Sequence, residues 1–164
     1  MPYFICPRCT WRGSRTSRTA GFSARPAGCD KCGFGFLFEL QDDYYPHRLS
    51  GIFVCDQQAR VLAFGHGAQR LAAVREEHLI GQDLDAGLHL RVEDSYELPG
   101  DGTLAPHEFA LEWGVRVLDV PMELQTVQDR PVAVIADFFP ALDEDGGLLA
   151  VFTPRGDAER STDP

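Results

Sequence analysis

Four of the five cysteines form two C-x-x-C pairs, Cys6-Pro7-Arg8-Cys9 and Cys29-Asp30-Lys31-Cys32, separated by nineteen residues. A C-x-x-C turn lets two thiolates reach one metal from a tight knuckle, and two knuckles complete a closed tetrahedral shell of four sulfurs. Such a shell is typical of a structural zinc ion and leaves no position open for catalysis. Cys6, Cys9, Cys29 and Cys32 are therefore the expected ligands of one zinc per chain. Iron in the same four-sulfur shell is the alternative, because Cys-Pro-x-Cys and the Cys32-Gly33 step suit both metals. Disulfides are the plainer reading, but adjacent C-x-x-C pairs make a poor disulfide framework in a cytoplasmic chain.

Arg8 on the first knuckle, and Arg12, Arg15, Arg18 and Arg25 between the knuckles, lie among serines, threonines, Trp11 and Phe22. Guanidinium forks and hydroxyls contact phosphate oxygens and aromatics stack on bases, so nucleic acid is one reading of this stretch. A solvated loop is the other, and it is favoured. The chain uses fourteen arginines and one lysine, so its arginines partly reflect a global preference.

A segment this short cannot close an apolar core of its own, so a metal must supply most of its folding free energy. Tyr3, Ile5 and the run Phe34-Gly35-Phe36-Leu37-Phe38 supply β-prone residues around the knuckles. Over residues 3 to about 38 the chain resembles the zinc ribbon family, with Cys6-Pro7-Arg8-Cys9-Thr10-Trp11-Arg12-Gly13 similar to its first knuckle and Cys29-Asp30-Lys31-Cys32-Gly33-Phe34 to its second. That resemblance implies a scaffold and leaves the function open.

The charge changes where the cysteines stop. Residues 1–36 carry six positive charges against one negative; residues 37–164 carry nine against twenty-four, within a formal net charge of −10. Two modules with different surfaces follow: a zinc ribbon over 1–40, a linker over 41–49 around Pro46, a second domain over 50–155 and a flexible tail over 156–164. In the second domain, Gly51–Asp56 and Arg60–Phe64 read as a hairpin, Ala68, Leu71, Ala72 and Arg75 fall at helical spacing, and Glu76–Ile80 runs to a stop at Gly81. Residues 85–106 hold Gly87, Pro99, Gly100, Gly102 and Pro106, which predict short turns and loops. Glu108–Trp113 predicts a short helix, and Val115–Val127, Pro131–Phe139 and Leu148–Thr153 predict a three-stranded meander with a turn at Asp143–Gly147.

This order predicts an α+β fold: a small four-cysteine zinc ribbon followed by an antiparallel sheet wrapped by short helices. From residue 47 to about 155 the chain resembles the PAS domain family. Gly51-Ile52-Phe53-Val54-Cys55-Asp56 is similar to its opening strand, Glu76-Glu77-His78-Leu79-Ile80-Gly81 to its acidic-acidic-x-aliphatic-aliphatic-Gly phrase, and Pro140–Gly146 to its final hairpin. Two positions depart from the family pattern. Gly65 stands where an asparagine commonly follows the second strand, and Ala73 where a glycine follows the first helix. The Asn-Cys-Arg phrase of the flavin-adduct class is absent, which excludes photochemistry of that type. The resemblance implies a pocket between sheet and helices with an unspecified ligand. For a haem, His78, His89 and His107 are the candidate axial ligands, with His89 in the region the resemblance favours; an empty or filled core is the plainer expectation. Alternation places Cys55 inside as an inert thiol.

No phosphate-binding Gly-rich loop, H-E-x-x-H, G-x-S-x-G or deaminase motif is present, and the carboxylates are scattered, so the expectation is a protein that is not an enzyme. No apolar run approaches the roughly eighteen residues of a membrane span, and no secretory signal opens the chain, which gives a cytoplasmic expectation. The reading is a non-catalytic, zinc-binding sensory or interaction module that signals through a protein partner, with a homodimer as one form. The alternative is a nucleic-acid or transcription- or translation-associated adaptor acting through the arginine-rich ribbon.

Overall fold

A computed structural model describes residues 3–9, 12–13, 31–32, 38–40, 46–125, 131–140 and 147–155. Two antiparallel sheets are formed. The smaller joins β1 (Tyr3–Ile5) to β2 (Arg12–Gly13) on one side and β3 (Phe38–Leu40) on the other, pairing Ile5 with both Arg12 and Phe38. The predicted strand residues 34–37 lie outside the described set, and the pairing segment there begins at Phe38.

The larger sheet has six strands in the order β5-β4-β9-β8-β7-β6. β4 (Gly51–Cys55) and β5 (Val61–Phe64) form the expected hairpin. β7 (Val117–Gln125), β8 (Pro131–Pro140) and β9 (Leu148–Pro154) form the expected meander, and β9 returns beside β4 to place the two chain ends of the domain at the sheet centre. β6 (Arg91–Val92), in the stretch expected to be turns and loops, adds an edge strand on β7. Of the turn expected at Asp143–Gly147, residues 143–146 lie outside the described residues.

Among the described residues, four short helices cover one face: α1 (Ala68–Ala72), α2 (Glu76–Leu79), α3 (Leu84–Leu88) and α4 (Pro106–Trp113). The helical pattern starting at Ala68 is split, because Ala73 adopts φ 57° and ends α1 in the left-handed conformation that glycine normally supplies. α3 is started by Asp83, whose side chain accepts from the backbone N–H groups of Asp85 and Ala86. This cap is the signal that marks a helix in a stretch otherwise dominated by glycine and proline.

Alternation along β4 sends Phe53 and Cys55 toward the helices and Ile52 and Val54 to the opposite face. On the helix side, Phe64, Phe53, Phe152 and Phe138 form a chain of edge-to-face contacts across β5, β4, β9 and β8, with centroids 5.2, 5.8 and 5.9 Å apart. Phe53, Phe138 and Phe152 have no exposed surface, so aromatic rings fill the space over the sheet centre. Cys55 is buried as expected, and burial pushes its thiol pKa up. The opposite face is buried as well: Ile52, Val54, Phe139, Leu149 and Val151 are all at most 1% exposed.

Candidate metal knuckle and its contact with the sheet

The turn Pro7–Cys9 connects β1 to β2 and brings Cys6 and Cys9 to one side, while Cys32 approaches from a second turn. The sulfurs of Cys6, Cys9 and Cys32 lie within 4.8 Å of one another, and the Cys6 and Cys32 Sγ atoms are 3.5 Å apart. A tetrahedron with metal–sulfur distances of about 2.3 Å has edges of about 3.8 Å. The observed spacing therefore fits three corners of a zinc–thiolate shell and is far longer than a disulfide bond. Cys29, the expected fourth ligand, lies outside the described residues.

Cys6 has no exposed surface, and desolvation pushes its thiol up to about 12; backbone N–H groups of Cys9 and Arg8 point at the sulfur and act in the opposite direction. Those N–H groups are the donors that a knuckle turns toward a thiolate. Soft, clustered donors with backbone N–H support fit zinc, which would be held by Cys6, Cys9 and Cys32 and would supply only a structural cross-link there.

The knuckle is joined to the six-stranded sheet at a point that the sequence marks. The carbonyl oxygen of Pro7 accepts a 2.7 Å hydrogen bond from the His66 backbone N–H, in the turn between β5 and α1. The adjacent Gly65 N–H donates to the Ile52 carbonyl, also at 2.7 Å. A Cβ at position 65 would press into the Pro7 carbonyl oxygen and lie 2.9 Å from the Ile52 carbonyl oxygen. This explains why a glycine stands here: it lets the knuckle backbone close on the turn. Next to it, the Arg8 guanidinium lies 3.7 Å from Glu76 Oε1, and the same oxygen accepts from the Phe64 N–H at 3.0 Å. The link thus runs from the first cysteine pair to the end of β5 and the start of α2.

The remaining candidates separate. Arg8 faces an acid of the larger domain; Arg15, Arg18 and Arg25 lie outside the described residues, as does the Arg12 side chain. His78 is exposed, and His89 is exposed at the end of α3 with φ 49°, so neither reaches the interior that an axial haem ligand must occupy. His107, 3% exposed, is the histidine that points into the fold, with its ring 5.9 Å from Phe138.

No family model and no curated relative matches the chain. Solved structures do. A PAS domain of nitrogen regulation protein NR(II) from Vibrio parahaemolyticus is 15% identical with a TM-score of 0.51, and covers 65% of this chain and 90% of its own. A PAS domain from Colwellia psychrerythraea is 18% identical with a TM-score of 0.51, covering 66% of this chain and 88% of its own. A variant of Vivid is 11% identical with a TM-score of 0.50, covering 69% and 88%. The antiparallel sheet with its short helices has the PAS fold.

Proposed function

We propose that the protein is a non-catalytic, zinc-binding sensory or interaction module of the PAS type, which signals through a protein partner. The observation that carries this reading is the Pro7–His66 hydrogen bond at Gly65, which ties the cysteine knuckle to the turn leaving the β4–β5 hairpin. A change of packing in the larger domain thereby has a rigid lever to act on, and the ribbon presents the contact surface to the partner. The NR(II) likeness is one of fold and is consistent with a signalling role. The absence of catalytic motifs supports a module without turnover of its own, and the free thiols of Cys6, Cys9 and Cys32 support a cytoplasmic setting. Among the described residues no helix is long and apolar enough to cross a membrane.

The nucleic-acid reading has less support, because Arg8 is directed at Glu76. Native mass spectrometry of the purified full chain tests the proposal's metal half. One zinc per chain, lost on denaturation, is the expected result. A folded, metal-free protein or a coloured iron protein overturns it.

A further inference from the structure

A cleft of about 360 Å³ opens between the β4–β5 turn, the start of α3 and α4, at the rim of the phenylalanine-filled centre. Its charge is one-sided. Asp83, Asp85, Glu108 and Glu112 line it, and no lysine or arginine does. Asp83 is engaged as the cap of α3, and Glu108 Oε1 accepts from the Ala105 N–H at 3.1 Å. The side chains of Asp85 and Glu112 are exposed and make no hydrogen bond or ion pair among the described residues.

The second, independent observation is His107. It lines the same cleft, is 3% exposed, and its Nδ1 has no hydrogen-bond partner among the described residues. A buried polar atom without a partner is uncommon in a folded protein and needs a reason. Burial lowers the pKa of this imidazole, with Glu108, Asp85 and Asp83 working in the other direction. A neutral imidazole carries one acceptor nitrogen, and carboxylates only accept. The cleft is thus rich in acceptors and negative charge and lacks a cationic donor.

A metal ion fits less well, because among the described residues only the cysteines bring three ligating atoms within 4.8 Å of one another. Anions are repelled. The volume lies at the lower end of the range of about 300–1,000 Å³ seen for small-molecule sites, which limits the ligand to a small molecule.

We propose that this cleft binds a small organic cation, a primary amine or guanidinium compound, whose charge is matched by Asp85 and Glu112 and whose N–H donors complete the His107 imidazole. The inference rests on the sensory reading above and names the class of molecule sensed.

Calorimetric titration of the full chain as purified, with agmatine and benzylamine as probes, benzoate as the anionic control and magnesium chloride as the metal control, tests it. The expected result is saturable binding of at least one amine with a Kd below about 1 mM and none of benzoate. Asp85→Asn and Glu112→Gln, both at exposed positions, each weaken it roughly fivefold or more, as loss of one charge-assisted contact requires. On binding, the His107 ring nitrogens shift in ¹⁵N spectra. No saturation by either amine, an effect of neither carboxylate variant, or tighter binding of magnesium than of the amines overturns the proposal. Amine binding whose amide shifts stay within the cleft supports the ligand class and refutes sensing. Shifts that extend to Gly65 and His66 support both.

Discussion

Replacement of Gly65 by alanine tests whether the cysteine knuckle and the larger sheet act as one unit. Gly65 has no left-handed φ to protect, so an unconstrained Gly→Ala change stabilises a fold by about 0.4–1 kcal/mol through the unfolded chain. Here the sign reverses. The new Cβ would press on the Pro7 carbonyl oxygen and sit 2.9 Å from the Ile52 carbonyl oxygen and 3.0 Å from the Ile52 Cβ. Two of those contacts are backbone, and Ile52 belongs to a buried strand, so the knuckle is the part that can move. Moving it breaks the 2.7 Å hydrogen bond from His66 N–H to Pro7, a loss of about 1 kcal/mol that rises to about 1–3 kcal/mol if the N–H is left unsatisfied. If the whole loss falls on the knuckle, zinc binds about 5- to 150-fold more weakly, at 1.4 kcal/mol per decade. Competition with a chromophoric chelator reads the affinity, and urea unfolding reads the larger domain. Gly81→Ala is the control, because its φ of 83° adds strain but nothing lies within 4 Å. A Gly65→Ala protein that is more stable than the parent and binds zinc equally well refutes the reasoning.

Other substitutions separate the contributions. Arg8→Ala removes an ion pair whose side chains are 51% and 39% exposed, so stability in a urea titration changes by at most about 0.5 kcal/mol; a loss above about 1.5 kcal/mol contradicts the surface description. Ala73→Gly relieves a non-glycine residue at φ 57° and raises stability by about 1 kcal/mol, read as a higher urea midpoint at an unchanged slope. Phe53→Leu removes a ring in edge-to-face contact with Phe64 and Phe152 and costs about 1–3 kcal/mol; less than about 0.5 kcal/mol means the centre is not filled as described. His107 has a folded pKa below its ordinary value of 6.5, so the unfolded chain takes up its proton first as pH falls. Stability therefore declines as pH drops below about 6.5 and levels off below the folded pKa, and His107→Phe removes that component of the pH dependence. An unchanged pH profile in the variant contradicts burial of a neutral imidazole.

The parts of the molecule legible in the sequence are those set by local patterns. Alternation along Pro131–Phe139 and Leu148–Thr153 marks strands whatever surrounds them, and the meander forms where expected. Glu108–Trp113 forms helix α4, which starts two residues earlier at Pro106, where the missing N–H is harmless. Between residues 85 and 105 the glycines and prolines hide α3 and β6, because the first depends on the Asp83 cap and the second on pairing with Met122 and Glu123 far along the chain. Of the candidate metal ligands, the C-x-x-C spacing picks out Cys6, Cys9 and Cys32, whose sulfurs the fold brings together. His107 is different: its burial arises from packing against Phe138 on another element, which no spacing within α4 reveals. Gly65 was visible only as a departure from a family pattern. Its meaning lies in a backbone contact with a residue 58 positions away, between Pro7 and Gly65.

The most direct test of the account follows backbone amides of the isotopically labelled full chain while zinc is removed by a chelator and then restored. If the knuckle is a lever on the PAS-fold domain, removal shifts Phe64, Gly65, His66 and Glu76 together with Cys6 to Cys9, and restoring zinc returns them. Shifts that stop at Cys9, with the β5–α1 turn unmoved, contradict the coupling on which the proposed function rests.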